Sequence, residues 1–142
     1  MSRKLVFASG LLRCFFCHLD PAAAAAREGL RGPAYDPTKL LAYMENELGQ
    51  TPLELLARAA RRPAIPTATA ARLFNSYDRF LSVVDDEEKR KNLERMSEGE
   101  MATSSVWNEI RDFSHDFHSG LIELFFGNDQ DLRELAVQYG VF

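Results

Sequence analysis

Thr67-Ala-Thr-Ala-Ala-Arg-Leu-Phe-Asn-Ser-Tyr-Asp-Arg-Phe-Leu-Ser-Val-Val84 is the stretch on which the fold class turns. Its apolar residues Ala70, Leu73, Phe74, Tyr77, Phe80, Leu81 and Val84 recur at spacings of three and four, the period of a helix with one buried face. Pro63 and Pro66 bar a helix from entering this stretch from before, and Thr67 supplies a cap. The second clear period runs over Val106, Ile110, Phe113, Phe117, Leu121 and Leu124, and Gly127 ends it. Two long amphipathic helices, about 68 to 84 and 104 to 126, are therefore expected to form the central pair of the fold.

Shorter helices are marked outward from this pair by their caps. Thr51-Pro-Leu-Glu54 is a capping box with proline in the first turn, and it opens a helix over about 52 to 61. Asp36-Pro37 and Gly49 bound another over 37 to 48, expected to bury Leu40, Leu41, Met44 and Leu48. Asp85 to Glu88 place four acids at the start of a short charged helix, with Lys89, Arg90 and Lys91 four residues on from Asp85, Asp86 and Glu87. Asn128 to Asp131 cap a last helix over 129 to 139, after which Val141 and Phe142 are expected to fold back onto its end. No strand pattern and no repeat appears.

The expectation is an all-α, irregular or orthogonal bundle of about five helices over residues 36–142, behind a flexible, poorly structured segment over 1–35. That first segment holds an apolar patch, an alanine run and the breakers Gly29, Gly32 and Pro33, with no sustained period. With 142 residues, 46% hydrophobic and 27% charged, the composition is that of one ordinary globular domain.

The formal charge of −4 divides into +3 over residues 1–34 and −7 over the rest. An acidic body argues against a broad nonspecific nucleic-acid surface. Leu5 to Leu12 have the outline of a secretory signal, with Ala22 to Ala26 as a cleavage zone, but Arg13 interrupts the apolar run. A cytoplasmic protein with no membrane partner is expected.

Four constellations could carry chemistry. Cys14-Phe-Phe-Cys17-His18 has the spacing of covalent haem attachment, yet it lies outside the expected helical core, and a chance pair of thiols is the expected reading. Glu109, Asp112, His115, Asp116 and His118 crowd one stretch, but the three acids project away from the apolar stripe of their helix, so a solvated face and no metal is expected. No phosphate loop, nucleophile elbow or cofactor signature occurs, and an enzyme is not the expectation.

The other two constellations are surfaces. Trp107, His118, Ile122 and Phe125 add a second apolar strip beside the core stripe of their helix, making that helix apolar over nearly half its circumference. Such a strip is covered either by another helix of the chain or by a partner, and Trp107 is its natural anchor. A non-enzymatic interaction or regulatory module, acting as a homodimer or on a protein partner, is the leading functional expectation. The alternative is a helix-turn-helix DNA-binding regulator. Arg58, Arg61 and Arg62 would then hold phosphates while Thr67, Thr69, Arg72 and Asn75 face base edges.

Overall fold

A computed structural model describes residues 1–28, 30 and 36–140. The described chain is helical almost throughout and contains no strand. Eight α-helices follow one another: α1 (Ser2–Leu19), α2 (Pro21–Glu28), α3 (Thr38–Gly49), α4 (Pro52–Ala60), α5 (Thr67–Asp85), α6 (Glu87–Arg95), α7 (Ser105–Phe126) and α8 (Gln130–Tyr139). A short 3₁₀ turn, Glu98–Glu100, links α6 to α7. The all-α class holds, but the count of about five helices falls short, and the expected fold-back of Val141 and Phe142 lies outside the described residues.

α5 and α7 form the central pair, packed antiparallel with more contact than any other two helices. Gly120 makes the close approach possible, because a Cβ there would lie 2.8 Å from Leu73 Cγ. One end of the pair is gripped by α1, α4 and α8. Leu12, Phe15, Leu55, Leu56, Leu73, Phe117, Leu124 and Leu132 together make one buried cluster at that end. The other end runs on as a two-helix arm, with α6 and the 3₁₀ turn closing its tip.

The flexible N-terminal segment is the principal correction. Residues 2–19 form a regular helix whose Leu5, Ala8, Leu12, Phe15 and Phe16 are all buried in the main core. Their spacing is helical, but exposed Val6, Phe7 and Gly10 stand between them and blur the stripe in the sequence. No side chain caps α1, so the start signal was missing too. Lys4 fixes the beginning of α1 by donating from Nζ to the carbonyl oxygen and the hydroxyl of Ser114 on α7, each at 3.2 Å.

The second correction concerns α3. The helix forms one residue later than expected, with Pro37 rather than Asp36 at its N-cap and Gly49 inside it, yet Leu41, Met44 and Leu48 are exposed, Leu40 is half-buried, and the residue it buries is Glu47, at 2% exposure. The reason is nonlocal: Arg58 of α4 reaches Glu47 Oε1 at 2.8 Å and also pairs with Asp20, while its guanidinium lies 4.0 Å over the Phe16 ring. Arg13 donates to the carbonyls of Glu47 and Gln50 at 3.1 and 3.0 Å, satisfying the end of α3. A charged latch thus overrides the apolar stripe. Burial beside Glu47 also pushes the Tyr43 phenol up to about 12, and Tyr43 donates its proton to the Phe16 carbonyl at 3.3 Å.

The other local signals are realised in part: Thr67 is the first residue of α5 behind Pro66 and no side chain caps that helix. Glu54 N donates to Thr51 Oγ1 at 3.3 Å and Thr51 N to Glu54 Oε2 at 2.6 Å, completing the capping box of α4. On α6 only Lys91 keeps its i+4 acid, Glu87, at 2.6 Å, whereas Lys89 crosses to Glu109 of α7.

Candidate interaction surface

Each element places its share of the residues singled out above. Trp107 is 36% exposed on the arm half of α7, and Ile122 and His118 are exposed as well. Phe125 is not part of an open strip: at 1% exposure it meets Phe15 edge-on, with ring centroids 6.0 Å apart. Eighteen residues separate Trp107 from Phe125, which is five full turns, so the two project to the same side of α7. α1 covers that side from Phe125 as far as Ser114, where Lys4 is bonded. Trp107 lies two turns beyond that point and is 36% exposed.

α5 repeats the arrangement. Phe74 and Tyr77 pack against the main core, while Leu81 and Val84, each seven residues and about two turns further on, are exposed. In an antiparallel pair these positions and Trp107 lie on the same side of the arm. Trp107 on α7 and Leu81 and Val84 on α5 are thus all exposed along the arm, where Leu81 and Val84 line a depression together with Asp85 and Arg90. Trp107, singled out in the sequence, is exposed, and so are Leu81 and Val84, which the period alone assigned to the core. Their position past the last turn covered by α1 and α4 is a tertiary fact.

The seven residues of the DNA-binding alternative do not form one free basic surface. Arg58 is held by Glu47 and Asp20, and Arg62 by Asp129 at 2.6 Å and Asp131 at 2.7 Å. Arg72 donates to Glu123 Oε1 at 2.6 Å, and Thr69, itself buried, donates to Glu123 Oε2 at 2.9 Å. Arg61, Thr67 and Asn75 are exposed. Guanidinium groups neutralised by carboxylates offer phosphates little net attraction. Its hydrogen bonds to the Asp129 and Asp131 carboxylates outweigh partial burial and hold the Arg62 guanidinium more firmly protonated than usual.

The remaining constellations stay apart. Cys14 is exposed and Cys17 half-buried, both as free thiols on α1, and burial together with Cys14 and Glu47 pushes the Cys17 thiol up. His18 stacks on Tyr139 with centroids 5.7 Å apart. Asp112, His115 and Asp116 are exposed, and Glu109 pairs with Lys89. Among the described residues no three His, Cys, Asp or Glu side chains converge as a metal site. A cleft of about 820 Å³ lies between α6 and the start of α7, lined by Glu88, Lys91, Arg95 and Glu100 among others, and acids and bases balance there.

No single described helix is long and apolar enough to cross a membrane; α1 and α2 pass that test only as a pair bent by 64°. No protein-family model, curated protein or solved structure matches the chain.

Proposed function

We propose that the chain is a non-enzymatic helical interaction module, working by self-association or by binding a protein partner through the open side of the α5/α7 arm. The observation that carries this reading is the exposed Trp107 facing the same side as Leu81 and Val84, in line with the face that α1 and α4 bury at the other end. Large aromatic side chains half in water, flanked by aliphatic ones, are the usual anchors of protein interfaces. Of the strip expected from sequence, Trp107 belongs to the proposed surface, His118 and Ile122 are exposed further along α7, beside the stretch that α1 covers, and Phe125 serves the core.

Site-specific photocrosslinking in native lysate tests the proposal. A photoreactive phenylalanine at position 107 or 81 is expected to give discrete adducts, including chain-to-chain adducts if the chain pairs with itself. The same group at Arg133, exposed on α8, is expected to give none. Equal labelling from all three positions, or none from 107 and 81, would remove the reading.

A further inference from the structure

We infer that Cys14 and Cys17 form a reversible dithiol switch, closed by exchange with a small-molecule disulfide, and that its closure loosens the grip of α1 on α3. The inference stands apart from the arm surface and does not depend on it.

The pair lies one turn apart on α1, both thiols free, Cys14 exposed and Cys17 half-buried, and the chain has no other cysteine. Positions three apart on a helix have Cα atoms about 5 Å apart, inside the span of a disulfide, whereas their Cβ atoms exceed that span by about 1–2 Å. The bond can form only by tightening the turn from Cys14 to Cys17. A bridge strained in this way is readily reduced again, which suits a switch better than a staple.

That turn is where α1 holds α3. Arg13, one residue before it, donates to the carbonyls of Glu47 and Gln50 at 3.1 and 3.0 Å. The Phe16 carbonyl accepts from Tyr43 at 3.3 Å, and the Phe16 ring lies under the Arg58 guanidinium that pairs with Glu47. Cys17 itself is within electrostatic reach of Glu47, Arg58 and Tyr43. For the rest α3 packs mainly on α2; its Leu41, Met44 and Leu48 are exposed, and the residue it buries, Glu47, leaves Oε2 without a hydrogen-bond partner among the described residues. A shift between Cys14 and Cys17 is therefore felt first at α3.

Exposure sets the order of events. Cys14, as thiolate, attacks one sulfur of the small disulfide; a mixed disulfide forms on Cys14, the original S–S bond breaks, and the first small thiolate leaves and takes up a proton. Cys17, whose thiol burial and the neighbouring Cys14 keep protonated, then gives its proton to solvent and attacks Cys14 Sγ, expelling the second small thiolate. Two protein thiols are oxidised, and one small disulfide is reduced to two thiols.

The test treats the reduced full chain with oxidised glutathione and follows it by intact-mass spectrometry and hydrogen exchange. Wild type is expected to lose two hydrogens and keep no adduct, Cys17→Ser to keep one glutathione on Cys14, and Cys14→Ser to react at least about tenfold more slowly than wild type. In the closed form, exchange over residues 38–49 is expected to speed up about tenfold, over 105–126 to stay unchanged, and both to return on adding excess thiol.

A glutathione adduct that persists on wild type, a disulfide between two chains, or equal reactivity of Cys14→Ser would overturn the inference. So would a closed bridge that leaves exchange over 38–49 unchanged, or one that speeds 38–49 and 105–126 alike, since the first shows no switch and the second a general loss of structure.

Discussion

Gly120 of α7 sits so close to Leu73 of α5 that a Cβ on the glycine would come within 2.8 Å of Leu73 Cγ and 2.9 Å of Cδ2. Leu73 is fully buried and has little room to withdraw. Gly120→Val is therefore expected to cost about 2–3 kcal/mol by overpacking the seam of the central pair. Thermal unfolding checks it: the midpoint should fall by roughly 8 °C.

Gly10 gives the opposite sign. It lies in the middle of α1, exposed, with nothing within 4 Å of a Cβ built on it. Gly10→Ala is expected to stabilise the protein by about 0.5–1 kcal/mol, the usual gain from removing a helical glycine. Urea unfolding of the two variants together tests whether α1 is part of the folded core. A loose leader would make Gly10→Ala neutral.

The Arg62–Asp129 pair joins α4 to the cap of α8, since Asp129 also accepts from Leu132 N at 3.0 Å. The carboxylate is almost wholly buried, so Arg62→Ala leaves it without its cation and is expected to cost about 3 kcal/mol. Although burial alone would raise it, the hydrogen bonds from Arg62 and Leu132 hold the Asp129 pKa below the ordinary carboxylate value. A depressed folded pKa contributes stability above the unfolded value, near 4, that disappears as pH falls through the folded one. The stability gap between wild type and Asp129→Asn, measured by urea unfolding, should thus be full at pH 6 and shrink steadily below about pH 4.

Arg58 is expected to matter more to α3 than any apolar residue of α3 does. Arg58→Ala strands Glu47, whose Oε2 already has no hydrogen-bond partner among the described residues, and should cost about 3 kcal/mol. Leu48→Ala, at an exposed position, should stay within about 0.5 kcal/mol. Hydrogen exchange over residues 38–49 would separate the two: fast in Arg58→Ala, unchanged in Leu48→Ala.

These contrasts show which parts of the fold were legible in the sequence. Caps and periods are local, and they placed α4, α5, α7 and α8 closely, down to the Thr51–Glu54 box. Burial is not local. Nothing near Glu47 announces that Arg58 and Arg13 will draw it inward, and nothing near Leu81 says that the covering helices stop short of it. The apolar period of α1 was present at Leu5, Ala8, Leu12 and Phe15, but without a cap and with Val6 and Phe7 beside it the stripe was not separable from a disordered apolar patch. Trp107 was singled out as part of an apolar strip too wide for one neighbour, and it is partly exposed. The strip's far end, Phe125, was already taken by Phe15.

Trp107 is the single tryptophan of the chain, so its fluorescence reports the state of the arm surface without interference. Acrylamide quenching of the purified wild-type protein, at a concentration where sedimentation shows a monomer, is the direct measurement. Emission that is readily quenched is the expected result. Emission already shielded in the free monomer would mean that the chain covers Trp107 itself, and that the arm has no open side to offer.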